Sequence, residues 1–255
     1  MCLIVFAYKD HPEYKFVLAA NRDEFYERPT APADFWEDYP NVLAGRDLKD
    51  GGTWLGITLE GRFACITNHR NPKLLKGGTY SRGLLVSDYL IGNILPKDYL
   101  SAVAESNRVY NPFNLLVGDN EALWYYSNVT GEMFEILPGL HGLSNHFLDT
   151  PWPKVLRAKE AMKRLLQRPE FDAYEMLSVL ADKTPAREFE LPNTGVGEEW
   201  ERFLSPVFIT TSIYGTRSSY VLTIDWEQNV KFVERNYSPE SEEYQDLEYT
   251  FTISS

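Results

Sequence analysis

Cys2 is the strongest candidate for a catalytic residue in the sequence, because removal of Met1 would leave a thiol and a free α-amine on one residue. The reference pKa of an α-amine is about 7.7 and that of a thiol is about 8.5. Near neutral pH the amine can therefore act as general base for its own side chain. If Met1 is retained, the same nitrogen is an amide and cannot accept a proton, so the nucleophile hypothesis requires processing.

A predicted β-hairpin at the start of the chain decides which side chains lie near Cys2. Residues 3–8 and 15–20 are apolar and flank a polar turn, which is the pattern of two antiparallel strands. Pairing these strands around a turn centred at residues 11–12 places Cys2 opposite Asn21. The residues after Asn21 would then leave their strand beside the chain terminus.

Arg22 and Asp23 follow Asn21 and have the charges that a thiol and an amine can use. A carboxylate at Asp23 can hold a protonated amine, and a guanidinium at Arg22 can lower a thiol pKa. A second interpretation fits the same residues, with Cys2 as a small buried side chain and the charged run as a solvated strand end. Spacing alone leaves both interpretations open.

The rest of the chain alternates strand-like runs and helical spacing. Strands are predicted at 53–59, 62–67, 113–117, 122–127, 207–211, 216–224 and 230–236. Helices are predicted over 83–94 and 97–107, from residue 153 onward, and over 172–180 after an Asp cap. Residues 30–48 and 182–200 are expected to be loops that shape specificity.

Strands, then helices, then strands, connected mostly by hairpins, indicate an antiparallel α+β fold with segregated layers. The sequence has neither GxGxxG nor a P-loop, so dinucleotide and ATP chemistry are not expected. A chain of 255 residues can build one sizeable core, and we expect a single domain over 1–255.

The composition limits which binding partners and which cellular compartment are expected. The formal net charge of −12 is the wrong sign for binding phosphates, so no nucleic-acid partner is expected. The N-terminus lacks a secretory pattern, and no apolar stretch approaches the roughly 20 residues of a membrane span. We therefore expect a cytoplasmic protein without an integral membrane segment. Its two cysteines lack zinc-site spacing, and no metal or cofactor is predicted.

Several motifs spread over most of the chain carry a resemblance to a known family. They are Cys2 before an apolar strand, ANRDEF at 20–25, GGTWLG at 51–56, TNHR at 67–70, GLSN at 142–145 and YGTRS at 214–218. On these motifs the sequence resembles the NRDE family, whose animal members are called transport and Golgi organisation protein 2. That family is similar to N-terminal nucleophile hydrolases of the choloylglycine hydrolase and penicillin V acylase type.

The resemblance implies a four-layer αββα sandwich of two antiparallel sheets and a role for each matching residue. Cys2 would be the nucleophile, and Asp23 would hold its freed amine. Asn68 and Asn145 would supply oxyanion donors, and Arg217 would line the pocket of the nucleophile. Asn21 and Arg22 are expected to belong to the same pocket.

Other interpretations of these residues stay open. Asn68 and Asn145 also fit ordinary turns, and Arg217 fits a structural ion pair on a strand. One departure from the acylase pattern is Ala20, which stands where the acylases have an arginine shortly before their Asp.

Two functions follow from the resemblance. The first is a cysteine amidohydrolase or acyl-transfer enzyme acting on a small acyl amide through a thioester. The second is a non-catalytic binding or carrier protein for an apolar ligand, either haem or acyl-CoA-type lipids. The candidate haem ligands would be the four histidines of the chain, His11, His69, His141 and His146. Neither the substrate nor the oligomeric state is predicted by the sequence.

Overall fold

The computed structural model of the protein describes residues 3–75, 77–168, 170–238, 241 and 243–254. Its strands are β1 (Leu3–Tyr8), β2 (Tyr14–Phe25), β3 (Thr30–Phe35), β4 (Val42–Asp47), β5 (Leu55–Thr58), β6 (Phe63–Asn68), β7 (Phe113–Gly118), β8 (Leu123–Ser127), β9 (Met133–Glu135), β10 (Gly139–Leu143), β11 (Tyr214–Asp225), β12 (Asn229–Tyr237) and β13 (Tyr244–Thr252). Its α-helices are α1 (Gly83–Ile91), α2 (Pro96–Glu105), α3 (Pro153–Leu166), α4 (Ala173–Leu177) and α5 (Glu198–Phe203).

The chain divides into two compact units, each containing one antiparallel sheet. The first unit contains the residues up to Glu27 together with Leu137–Thr252, and the second contains Arg28–Ile136 and the residues after Thr252. Two antiparallel sheets with helices confirm the α+β fold class predicted from the sequence.

The sheet of the first unit has the order β10-β1-β2-β11-β12-β13. Its first hairpin is offset by one residue from the prediction, because Leu3 lies opposite Asn21. The His11 ring accepts the backbone amides of Glu13 and Tyr14, which moves the centre of the turn to Pro12. The consequence for the site is small, since β1 still begins beside the end of β2.

One face of this sheet is covered by α3 and α4. The odd-numbered residues of β1 and β2 point to this face, as the two-residue period of a strand requires. From α3 the buried residues Val155, Ala158 and Met162 recur at helical spacing and pack against them. Asp172 caps α4 in a capping box with Glu175, as the sequence predicts.

The sheet of the second unit is a meander in which β3 to β9 pair in chain order. The predicted hairpins β5-β6 and β7-β8 are both present. Residues 30–48, expected as a loop, instead form the β3-β4 pair. The prolines at 29, 32 and 40 interrupt the alternating pattern there, so the strands are not apparent from the sequence.

Two other predictions at the C-terminal end are wrong. Residues 207–211 form no strand and contribute only an isolated bridge between Thr210 and Gly215. Residues 182–200, expected as a loop, include the start of α5. No helix within the described residues is long and apolar enough to cross a membrane.

Candidate active site

Most of the predicted site residues gather at one end of the first sheet, where β1 begins. β1 lies between β10 and β2, with Leu143 opposite Ile4 and Asn21 opposite Leu3. The chain after β10 and the last residues of β2 therefore meet at the start of β1. Cys2 lies outside the described residues and is joined to Leu3 by the peptide bond.

Asp23 is buried near the end of β2 and is fixed by the neighbouring strand. Its carboxylate oxygen Oδ1 accepts a hydrogen bond of 2.7 Å from the Thr216 hydroxyl. The oxygen of that hydroxyl in turn accepts the backbone amide of Ile209 at 2.9 Å. A carboxylate that is only 4% exposed is thus held in one orientation beside the start of β1.

Arg217 is the extra residue of a β-bulge in β11. Asp23 pairs with Thr216 and Arg22 pairs with Ser218, so Arg217 has no opposite residue on β2. Its guanidinium donates to the backbone carbonyls of Phe25 and Tyr26 at 3.0 and 3.2 Å. Bulges redirect side chains next to active sites, and this one turns Arg217 toward the end of β2.

The bulge depends on a glycine. A Cβ at Gly215 would overlap the hydroxyl of Tyr26 and come within 2.7 Å of the carbonyl of Ile209. Only glycine permits this close approach of β11 to its neighbours.

Two arginines converge at this end of the sheet. Arg22 is 3% exposed, and Arg217 is half-buried. Burial, and then the positive charge of Arg22, lower the pKa of Arg217 below its usual range. The charge of Arg22 therefore acts on Arg217, and Glu24 adds a negative charge nearby that opposes it.

Asn21 has a different setting from the one predicted for a pocket residue. Its side-chain nitrogen donates to the carbonyls of Leu180 and Val207 at 3.0 and 2.8 Å, and its oxygen accepts from the Ser219 hydroxyl at 2.6 Å. The fully buried amide therefore ties the segments after α4 and before β11 to β2. It supports the strand end that carries Arg22 and Asp23.

Asn145 lies just beyond β10, on the segment that passes the start of β1. Both Ser144 and Asn145 are buried, at 3% and 4% exposure. We name residues 144–149 the Asn145 turn. The ends of this turn are closed by the backbone hydrogen bond from Asp149 to the carbonyl of Gly142, at 2.7 Å.

Asn68 belongs to the second unit and is the last residue of β6. It is exposed and lies opposite Phe113 of β7. Its role as a second oxyanion donor stays a prediction from the resemblance.

A buried polar network on the other face of the first sheet was not apparent from the sequence. The Tyr220 hydroxyl contacts the Ser218 hydroxyl at 2.7 Å and donates to the carboxylate of Glu234. Burial and then the charge of Glu234 raise the pKa of Tyr220 well above its usual range, while the charge of Arg22 opposes this shift. The available signal was the run of polar side chains at alternate positions in strands that are otherwise apolar.

Protein groups hold the rings of three histidines that were candidate haem ligands, His11, His141 and His146. The rings of His11 and His141 each have both nitrogens within hydrogen-bond distance of backbone or carboxylate groups, and Nδ1 of His146 contacts the Thr150 hydroxyl. His69 is buried. Within the described parts of the chain, no group of three or more His, Cys, Asp or Glu side chains could hold a metal ion.

Comparison with known proteins identifies the family. The family model of Transport and Golgi organisation 2 matches residues 1–239. The Homo sapiens Transport and Golgi organization protein 2 homolog is 33% identical over 278 residues, covering 100% of both chains. The Bos taurus homolog is 36% identical over 263 residues, covering 92% of this chain and 93% of its own. The Drosophila melanogaster Transport and Golgi organization protein 2 is 28% identical over 270 residues, covering 92% and 91%.

Solved structures share the fold at low sequence identity. The Caenorhabditis elegans ortholog of N-acylethanolamine-hydrolyzing acid amidase has a TM-score of 0.54 at 12% identity, over 87% of this chain and 92% of its own. A conjugated bile acid hydrolase from Clostridium perfringens, solved as its C2A mutant, has a TM-score of 0.53 at 8% identity, over 100% and 97%. Both neighbours are N-terminal nucleophile hydrolases. The chain thus belongs to the Transport and Golgi organisation 2 family and has the fold of the N-terminal nucleophile hydrolases.

Proposed function

We propose that this protein is a cysteine amidohydrolase that cleaves a small linear acyl amide through Cys2. The observation that carries the proposal is that Arg22 and Asp23, near the end of β2, and Asn145, just after β10, are all buried at the end of the sheet where β1 begins. Cys2 precedes Leu3 in the chain, and the peptide bond keeps their Cα atoms about 3.8 Å apart. Cys2, the residue before Leu3, is the proposed nucleophile.

The first step is activation of the thiol. After removal of Met1, the neutral α-amine of Cys2 takes the thiol proton and leaves a thiolate. The ammonium that forms is balanced by the carboxylate of Asp23, which Thr216 holds in place. The positive charge of Arg22 favours the thiolate further.

The second step is acyl transfer. The thiolate sulfur bonds to the carbonyl carbon of the amide, and the carbonyl electron pair moves onto its oxygen. Asn145 would donate to that oxyanion, and one such donor is worth about 2.7 to 4 kcal/mol. The C–N bond then breaks, the leaving amine takes the proton from the Cys2 ammonium, and a water later hydrolyses the thioester.

The test is hydrolysis of a panel of fluorogenic acyl amides by the processed chain and by two cysteine variants. Cys2→Ser should remove turnover, because a serine hydroxyl is a weaker nucleophile than a cysteine thiolate near neutral pH. Cys65→Ser is the matched control, since Cys65 is fully buried and burial raises the pKa of its thiol.

The expected result is that Cys65→Ser hydrolyses the panel like the wild type and Cys2→Ser does not. Equal turnover by Cys2→Ser would overturn the assignment of the nucleophile. Absence of turnover by the processed wild-type chain on the whole panel would overturn the proposed activity on small acyl amides.

A further inference from the structure

Asp149 closes the Asn145 turn through its hydrogen bonds. Its carboxylate accepts three hydrogen bonds: the backbone amide of Gly142 at 2.9 Å, the His141 ring at 2.8 Å and the Lys159 ammonium at 2.6 Å. Its backbone has a φ of +56°, in the left-handed region that Asp and Asn tolerate better than most residues. One side chain therefore ties the turn to β10 and to α3.

His141 has an oxygen acceptor at each ring nitrogen. Nδ1 lies 2.8 Å from the carboxylate of Asp149, and Nε2 lies 3.0 Å from the carbonyl of Leu137. Only the imidazolium has an N–H on both nitrogens, so only the charged ring can donate both bonds. In the neutral ring, one lone pair would face an oxygen.

The neighbours of His141 come from three elements. The turn contributes the Asp149 carboxylate, and α3 contributes the Lys159 ammonium, which binds the same carboxylate. From β1 the neighbour is the uncharged ring of Phe6, whose centroid is 5.3 Å away. Burial alone would lower the pKa of His141, but the hydrogen bonds to Asp149 and Leu137 outweigh burial and the nearby Lys159 charge, and they raise this pKa above its usual 6.5.

The turn closed in this way carries the proposed oxyanion donor. Ser144 and Asn145 are buried between Gly142 and Asp149, the two residues that exchange hydrogen bonds at its ends. A change at Asp149 therefore reaches Asn145 through a short closed segment.

We propose that Asp149 and the imidazolium of His141 are positioning residues for Asn145, and that loss of the second ring proton loosens the Asn145 turn. This inference rests on the proposed function for its effect on activity. It predicts that hydrolysis declines on the alkaline side of the His141 titration. A misplaced donor can reduce the rate by about 10²-fold.

The test uses NMR signals of Asn145 and needs no substrate. In the wild-type chain, the Asn145 backbone and side-chain amide signals should shift with two midpoints. The upper midpoint, above 6.5, belongs to His141. The lower one belongs to the adjacent His146, because burial lowers the pKa of His146 below 6.5.

Two matched variants assign the midpoints. His141→Gln should remove the upper shift of Asn145 and leave the lower one, and His146→Gln should do the reverse. Asp149→Asn, which keeps the tolerance for a left-handed backbone, should move the upper midpoint to lower pH. These readouts report the position of Asn145 and not the stability of the fold alone.

An Asn145 signal without an upper midpoint in the wild type would overturn the inference, whether or not the variants fold. An upper midpoint that survives in His141→Gln would overturn it as well. If the NMR results are as expected and the acyl-amide panel shows no turnover, the positioning role stands and the proposed function fails.

Discussion

At the scale of single residues, the site depends on polar groups whose partners are set by neighbouring strands. Asp23 is adjacent to Arg22 in the chain, yet its carboxylate accepts a hydrogen bond from Thr216, which is far away in sequence. The sequence motif Asn-Arg-Asp therefore indicates the charges but not the groups that orient them. Thr216 lies in the YGTRS motif at 214–218, but that motif does not identify it as a partner of Asp23.

Thr216→Val should weaken both stability and the reaction of Cys2. The substitution keeps the shape and removes the hydroxyl that donates to Asp23 and accepts from Ile209. Hydrogen bonds to charged groups contribute about 1.5 to 3 kcal/mol, so urea unfolding should show a loss of about 2 kcal/mol. The rate of acylation by an activated ester should fall by about 10-fold or more.

Thr223→Val on the same strand is the control for this substitution. Thr223 lies opposite Val17, at the other end of β11 from the site. It should retain the wild-type acylation rate. If both variants lose the same activity, the Thr216 hydroxyl has no specific role in the site.

At the scale of elements, the sequence patterns predicted those helices and hairpins that are determined by residues close together in the chain. The β1-β2 hairpin and the cap of α4 follow from residues close in sequence, so both could be predicted. The one-residue offset of the hairpin came from the His11 ring, which captures two backbone amides in the turn. Sequence periodicity contains no information on such a contact.

Strands with a weak alternation of apolar and polar residues were harder to predict. The β3-β4 pair and β13 combine prolines or charged residues with apolar ones, so their alternation is weak. The bulge at Arg217 is equally inaccessible, because it results from the pairing of β11 with β2. The resemblance identified Arg217 as a candidate site residue, but it did not indicate that a bulge in β11 directs its side chain.

The carboxylate of Asp149, in the Asn145 turn, should make the free energy of unfolding depend on pH. Burial alone would raise the pKa of Asp149, but the bonds from His141, Lys159 and the Gly142 amide lower it to about 2, from an ordinary 3.8. Its contribution is therefore fully present above about pH 4 and is lost as the pH falls toward 2. His141 has the opposite sign, with a contribution present below 6.5 and lost as the pH rises through its raised pKa.

Urea unfolding at about pH 5 and about pH 3 tests the acid limb of this dependence. Asp149→Asn should reduce the loss of unfolding free energy between these two values. Asp10→Asn, on the exposed turn of the first hairpin, is the control and should behave like the wild type. An unchanged acid dependence in Asp149→Asn would show that this carboxylate does not stabilise the fold.

At the scale of the whole molecule, chain order and spatial order differ in the first unit. The strand order β10-β1-β2-β11 joins the N-terminal hairpin to segments more than 100 residues away. The candidate site therefore draws on residues from widely separated parts of the chain, near positions 22, 145 and 217. Such long-range pairing cannot be inferred from spacing, and the family resemblance was the source of the prediction.

The start of the chain should be essential for activity and dispensable for the fold. An N-terminal extension that cannot be removed leaves the nitrogen of Cys2 in an amide, which cannot act as base. The extended chain should therefore lose acylation by the activated ester while its melting temperature stays within a few degrees of the processed chain. Acylation at the processed rate by the extended chain would show that the amine is not the base.

The most direct test of the proposed function is the mass of the N-terminal peptide after the untagged chain reacts with an activated acyl ester. If Cys2 is an N-terminal nucleophile, this peptide begins at Cys2, lacks Met1 and carries one acyl group on Cys2. A peptide that retains Met1, or acylation found only elsewhere in the chain, would contradict the claim that Cys2 is an N-terminal nucleophile.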